Sequence, residues 1–372
     1  MRFVRGGGTH PAFPGGNHLG APLQDGDPQQ SDPTDTTATT DTIGTAAVAC
    51  RIRDLTVAYR LDQGEFAAIR DFNLDIHAGN ITAVIGESGS GKSTLALAMM
   101  NAVSQPGRIV RGSVRYDGIG DVVQVQGDQL RRLRGPHVGM VFQASQSSLN
   151  PLKRIGAQIL DLGRSHGYKD PRILLREAKT LALRMSLNPE RVLSAYQHQL
   201  SGGMRQRVGI IFALVLHPKI LLLDEPTTAL DVLSQSAVLD IVRDIQRERQ
   251  LTVVLITHDM GVVAELAERV VVMYAGRLVE QGAALEVLRE SKHPYTRALI
   301  QAIPRLTGDV ALAKPLPGLP PNLASIPTTG CVFRDRCPYR MDICDTDDPV
   351  LQSWGGDRDH RFACHLGGVF DD

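Results

Sequence analysis

The sequence predicts an α/β fold built on a parallel β-sheet, and three observations carry that prediction. From Val48 onward, short β-rich runs alternate with longer helical patterns, the arrangement of parallel strands joined by crossover helices. The run ITAVI at 81–85 is apolar on both faces, as a central strand covered on both sides must be. GESGSGKS at 86–93 follows that strand and opens a helical pattern, which is the context a phosphate-binding loop requires.

Along the chain, residues 1–47 are dominated by Gly, Pro, Asp and Thr, with runs such as DGDPQQSDPTDTTATTDT. Such a segment cannot bury enough apolar surface to offset its ordering entropy, so a disordered tail is expected; an overextended start assignment would give the same composition. RIRDLTVAY reads as the first strand, and further strands are expected at 138–142, 220–223, 252–256 and 270–274. Between Leu149 and Leu216 the pattern is largely helical, with REAKTLALRMSL as an example, which predicts a helical insertion within the α/β core. After Ser291 prolines return, as in KPLPGLPPNLASIP, and predict an extended connector. No internal repeat is visible.

At 372 residues the chain has room for a main domain and an appendage. Its 40 basic and 40 acidic side chains cancel, so overall charge points neither to nucleic acid nor to an anionic lipid surface. The N-terminal MRFVRGGGTHPAFPGG lacks the apolar run of a secretory signal, and a cytoplasmic location is expected. IFALVL at 211–216 and ILLL at 220–223 fall far short of the ~20 residues that span a bilayer. Work at a membrane would therefore need partner subunits.

The loop satisfies G-x-x-x-x-G-K-[ST]. Its glycines let the backbone curl so that successive N–H groups face nucleotide phosphates, and the following helix adds its partial positive charge. Gly86, Ser88, Gly89, Ser90, Gly91 and the first helical residues through Thr94 would cradle the nucleotide. Lys92 would reach the β- and γ-phosphates, and the Ser93 hydroxyl would ligate Mg²⁺. A Gly/Ser-rich turn that happens to precede a lysine is the bland alternative. ILLLDEP at 220–226 weakens it, because this apolar strand ends in two carboxylates. Asp224 is placed to hold the metal's water shell and Glu225 to polarise an attacking water. LSGGMRQR at 200–207 repeats the anion-binding logic, although Ser201 also suits a plain helix cap. One subunit has no use for two phosphate loops at one nucleotide; two facing subunits would use both.

With LSGGMRQR matched throughout from Leu200 to Arg207, the sequence resembles the ATP-binding cassette (ABC) family over residues 48–290. The resemblance implies a P-loop NTPase cassette: a RecA-like core, an antiparallel β subdomain and a helical subdomain at about 146–218. It also implies a head-to-tail dimer, with ATP between the 86–93 loop of one subunit and Ser201, Gly202 and Gly203 of the other. Gln143 in VFQ resembles the loop glutamine that senses Mg²⁺, and His258 in ITHD the switch histidine beside the γ-phosphate. Asp231 in TTALD matches the loop linking paired sites, and Tyr59 stands where the family stacks an aromatic on adenine. Glu225 would then be general base, assisted by His258, with Lys92 and Mg²⁺ stabilising charge.

A single cassette without a membrane span favours a transporter ATPase over a soluble ATPase acting on DNA or ribosomes. SSLNP at 147–151, HPYTRALIQAIP at 293–304 and the proline-then-cysteine tail narrow the resemblance to oligopeptide and dipeptide importers, a group that includes nickel and other small-solute importers. It implies a second related ATPase, two transmembrane permease subunits and an extracytoplasmic peptide-binding protein, with this chain peripheral on the cytoplasmic face and no nucleic acid partner. ASQSS after Gln143 and Asn80 depart from the family pattern without touching the expected chemistry.

Cys331, Cys337, Cys344 and Cys364 fall in residues 291–372, read as a small Cys-rich accessory domain too short and polar for its own core. Four thiolates suit a [4Fe–4S] cluster or a Cys₄ zinc site, while four reduced thiols remain the plain alternative. The cysteines resemble the iron–sulfur pattern of some peptide-importer ATPases. His360 and His365 are expected beside the site or on the surface, and Cys50 as a small buried hydrophobe.

Overall fold

The computed structural model describes residues 47–143, 149–227, 231–302, 316–355 and 357–370, with Ala46–Asp372 forming one compact unit. The expected tail therefore lies outside the described residues apart from Ala47, as do Ser147 and Ser148 of SSLNP and Thr228 to Leu230 of TTALD.

Strands β1 (Val48–Leu61), β2 (Gly64–His77), β3 (Ile81–Ile85), β4 (Gly107–Tyr116) and β5 (Gly120–Asp121) build the first part of the chain. All but β3 form an antiparallel sheet in the order β2-β1-β4-β5. A two-residue turn at Asp62 and Gln63 closes the β1–β2 hairpin, pairing Leu61 with Gly64. Cys50 is buried beneath this sheet with Ile52, Leu55, Ile69 and Phe72, and burial pushes its thiol up to about 12.

The remaining strands join β3 in an eight-stranded sheet: β6 (Val138–Val141), β7 (Ile220–Asp224), β8 (Thr252–Ile256), β9 (Arg269–Tyr274), β10 (Arg277–Ala283), β11 (Gln352–Trp354) and β12 (Asp357–Phe362). Their order is β11-β12-β10-β9-β3-β8-β7-β6, parallel from β9 to β6. β3 is central, as its two apolar faces predict: Ala83 and Ile85 pack in one core cluster and Val84 in another. The strands expected at 138–142, 220–223, 252–256 and 270–274 form to within one residue at each end.

Helices α1 (Lys92–Met99) and α2 (Gly127–Leu133) precede β6. Between β6 and β7, which are direct neighbours in the sheet, come α3 (Ile155–Ser165), α4 (Arg172–Arg184), α5 (Pro189–Ser194) and α6 (Gly202–Leu214). The expected helical insertion is thus present. In α4 the buried residues are Leu174, Ala178, Leu181 and Ala182, the spacing of one helical face. Each leucine sealed there contributes roughly 1.5–3 kcal/mol. After β7, α7 (Val232–Arg249), α8 (Met260–Leu266), α9 (Ala284–Arg289) and α10 (Pro294–Gln301) complete the core; α11 (Ile343–Thr346) lies among the cysteines. Among the described residues no helix is long and apolar enough to cross a membrane.

The C-terminal extension, expected as a small accessory domain too short for its own core, joins the sheet and core of the larger unit. β12 pairs with β10, Glu280 opposite Phe362 and Gln281 opposite Arg361, and β11 adds an edge beyond it. Beneath, Tyr295, Cys331, Phe333 and Cys344 share one core with Ala83, Ile85 and Tyr274. The physical reason is the one that made a separate domain precarious: a short polar segment gains a core by covering the edge of a larger one.

Candidate nucleotide site

The 86–93 loop leaves the C-terminal end of β3, where ligands gather in parallel sheets. Two of its glycines are required by geometry. Gly86 has φ +150° and Gly91 φ +101°, and a Cβ would collide with the carbonyl oxygen of Met273 at the first and of Ala68 at the second. No side chain caps the N-terminus of α1, which leaves its first-turn N–H groups for an anion to satisfy. Ser88 and Gly89 are exposed at the rim, Ser90 is buried, and Ser93 and Thr94 are half-buried.

Lys92 is 8% exposed. Its Nζ donates to the carbonyls of Gly86 and Glu87, both at 2.8 Å, and to Ser90 Oγ at 3.3 Å. Burial lowers its pKa, opposed by the nearby carboxylates of Glu225, Asp224 and Glu87.

Asp224 ends β7 and is 4% exposed. Burial raises its pKa, while a hydrogen bond from Ser93 works against that. Its Oδ1 is buried without a hydrogen-bond partner among the described residues. A buried, unpaired carboxylate oxygen beside a hydroxyl is a hard donor pair suited to Mg²⁺. Glu225 follows with φ +48°, a left-handed conformation uncommon outside glycine, and its N–H donates to the Ile256 carbonyl at 3.0 Å. Gln143 Nε2 donates to Glu225 Oε2 at 3.0 Å, and His258 Nδ1 lies 3.4 Å from Oε1. Residues 82 and 33 positions away thus converge on one carboxylate.

The other expected positions lie elsewhere. Ser201 caps α6, its Oγ accepting from the Met204 N–H at 3.3 Å, and Gly202 and Gly203 form that helix's first turn. Among the described residues no hydrogen bond joins these three to the 86–93 loop. Asp231 caps α7 through the Ser234 N–H and hydroxyl, at 3.0 and 2.7 Å. Tyr59 is half-buried against the core under the antiparallel sheet, close enough to Gly107 that a Cβ there would strike its ring.

The four C-terminal cysteines line one small cavity with His293, Phe333 and His365, and all are free thiols. Burial pushes Cys331 up to about 12 and Cys364 up to about 11, and raises Cys337 as well. Backbone hydrogen bonds at Phe333, Leu366 and Tyr339 act against burial in each case. The sulfur set is chemically suited to a thiophilic metal, yet among the described residues no group of three or more His, Cys, Asp or Glu is arranged to hold a metal ion. The expected [4Fe–4S] cluster, and equally the zinc alternative, is therefore unsupported by the geometry. His360 is committed elsewhere, 2.8 Å from Glu280 Oε1, and His365 Nε2 lies 2.9 Å from the Asp347 carbonyl.

Three contacts escape the sequence reading. Gln206, inside LSGGMRQR, is 1% exposed and donates to the Pro226 carbonyl, bracing the turn that carries Glu225. Tyr295 of HPY accepts the Glu87 N–H at 2.8 Å, and Arg336 forks onto the Glu87 carboxylate. A glutamine between two arginines, Arg205 and Arg207, was the one sequence signal, because the other two contacts pair residues more than 200 positions apart.

Comparison with known proteins agrees with this geometry. A family model described as ABC transporter matches residues 69–228, and one described as oligopeptide/dipeptide transporter, C-terminal region, matches 279–344. The chain is 40% identical to a dipeptide transport ATP-binding protein of Caldanaerobacter subterraneus, over 86% of this chain and 97% of that one. It is 38% identical to an oligopeptide transport ATP-binding protein of Salmonella typhimurium, over 82% and 90%. A solved dimeric bacterial ABC transporter cassette aligns at TM-score 0.55 and 27% identity, covering 63% of this chain and 98% of that one. A dimeric post-hydrolysis cassette bound to ADP and phosphate aligns at TM-score 0.55 and 28% identity, with the same coverage. The phosphate loop, the paired carboxylates and these relatives together make the chain an ATPase of the ABC transporter family, belonging to the oligopeptide/dipeptide branch of its ATP-binding subunits.

Proposed function

We propose that this ATPase powers import of oligopeptides or dipeptides from the cytoplasmic face of the membrane, as a peripheral subunit. Its partners would be a second related ATPase, two permease subunits and an extracytoplasmic peptide-binding protein. The observation that carries the catalytic part is the meeting of Gln143 and His258 on Glu225, next to the buried, unpaired Asp224 oxygen.

ATP enters with its phosphates against the N–H groups of residues 86–94, and Lys92 turns from the loop carbonyls to the β- and γ-phosphates. Ser93, Gln143 and Asp224 would hold Mg²⁺, whose charge offsets that of the phosphate oxygens. Glu225 takes the proton of the attacking water, and His258 orients Glu225 and the γ-phosphate. Tyr59 serves the adenine. Ser201, Gly202 and Gly203 face the nucleotide of the paired subunit, and Asp231 lies along the same interface. The peptide reading rests on the relatives named above, which are described as dipeptide and oligopeptide transport proteins. It is tested by reconstituting the chain with its permeases in liposomes: ATP-dependent uptake of labelled peptides supports the reading, and uptake of nickel alone would replace it.

We also propose that the four thiols of the C-terminal extension take a [4Fe–4S] cluster, on the strength of their number and chemistry alone, since they line one cavity without a ligand arrangement among the described residues. Protein purified anaerobically should then absorb visibly and contain about four irons per chain, as four cysteine ligands require. A colourless, metal-free protein with a folded extension removes the cluster and leaves four reduced thiols; bound zinc without colour selects the other metal.

A further inference from the structure

We propose that Arg336, carried by the C-terminal extension, is a positioning and charge-balancing residue of the phosphate loop. Its Nη1 and Nη2 lie 2.6 and 3.0 Å from the two carboxylate oxygens of Glu87, the second residue of the 86–93 loop. The pair is largely out of water, with side-chain exposures of 6% for Arg336 and 20% for Glu87. Screening by salt is weak at such a site.

Both ends are fixed. Arg336 Nε donates to the Pro317 carbonyl at 2.6 Å, and Nη1 lies 3.3 Å from the Tyr274 hydroxyl. The guanidinium also sits 5.7 Å from the ring centre of Tyr274, within range of a cation–π attraction. The Arg336 N–H donates to the Phe333 carbonyl at 3.0 Å, closing the short turn between Cys331 and Cys337. On the loop side, the Glu87 N–H reaches Tyr295 and its carbonyl accepts Lys92.

A carboxylate at this position presents a problem the pairing solves. The loop must receive a polyphosphate, and an unneutralised Glu87 would repel it across a poorly screened gap. Arg336 cancels that charge, and its two-pronged geometry fixes the carboxylate's orientation, which a lysine would do poorly. Because the Glu87 backbone is tied to Lys92, holding Glu87 also holds the loop's curl. The inference rests on the reading of residues 86–93 as the nucleotide's phosphate loop.

The test measures Mg²⁺-ATP affinity of the full-length chain by calorimetry, alongside thermal unfolding. Arg336→Met is expected to weaken ATP binding about tenfold, the scale of a coupling near 1.4 kcal/mol. Glu87→Gln added to Arg336→Met should recover most of that loss, since no carboxylate charge remains to repel the phosphates. Arg336→Lys should fall between. Wild-type affinity in Arg336→Met overturns the proposal, as does a double variant no better than the single one. If Arg336→Met does not fold, the double variant and Arg336→Lys decide: ATP affinities near wild type and intermediate support the proposal, and equal losses in both refute it. Lys92→Ala in the same assay separates the two levels. Unchanged ATP binding there removes the phosphate-loop reading itself, whereas a loss there with unchanged Arg336→Met removes only the role of Arg336.

Discussion

Glu225→Gln is expected to leave ATP bound and to lower turnover by roughly 10²- to 10⁴-fold, the usual contribution of a positioned general base. The substitution keeps the side chain's shape, so the contact from Gln143 at 3.0 Å and that from His258 at 3.4 Å have a partner atom to meet. It removes the carboxylate proposed to accept the water's proton. The left-handed backbone at Glu225, braced by the Ile256 carbonyl and by Gln206 at the adjacent Pro226, is untouched by the change. Affinity therefore stays near wild type while the chemical step stalls, a loss in kcat rather than KM. The measurement is ATP affinity and steady-state hydrolysis in the assembled transporter, where the proposed paired site is complete. Near-normal hydrolysis by Glu225→Gln would sink the catalytic assignment.

What was legible in the sequence follows from how local each signal is. The 86–93 loop is written in eight consecutive residues, and its strand and helix flank it directly. The parallel strands announced themselves because burial on both faces leaves an unbroken apolar run, as in ITAVI and ILLLD. β2 and β4 were invisible for the opposite reason. GEFAAIRDFNLDIH and GRIVRGSVRY mix polar and apolar residues along an antiparallel sheet, with bulges that interrupt any period of two. The convergence of Gln143, Glu225 and His258 is a property of the sheet order, since the loops carrying them meet only once β6, β7 and β8 lie side by side.

The contacts of the extension are the least local in the chain, and for a physical reason. A proline-rich run followed by spaced cysteines suggests a tethered module, yet the pairing of β12 with β10 depends on matching an edge strand roughly 80 residues earlier. Glu280 shows the same non-local logic. It is fully buried and accepts from the Lys292 and His293 N–H groups at 2.6 and 3.1 Å while lying 2.8 Å from His360. A lone glutamate in RLVEQGA gives no hint of that role.

Lys92→Ala is the second large effect, and it acts on a different step. Lys92 is the loop's own cation, bridging Gly86, Glu87 and Ser90. Removing it takes away the charge-assisted bond proposed to the phosphates, worth about 1.5–3 kcal/mol, which is roughly a 10- to 100-fold loss of ATP affinity. The carboxylates of Asp224 and Glu225, which the lysine faces, would add repulsion to that loss. The Gly86 and Glu87 carbonyls also lose the lysine, although Glu87 keeps the Ser90 N–H at 3.2 Å, so part of the effect is a looser curl. Mg²⁺-ATP binding and thermal unfolding measured together divide the terms. A drop in affinity with a small drop in melting temperature assigns the loss to the missing charge, and wild-type affinity would refute the role. Set beside Glu225→Gln, the pair makes opposite signatures, binding without turnover and turnover limited by binding, and a site built otherwise would not produce both.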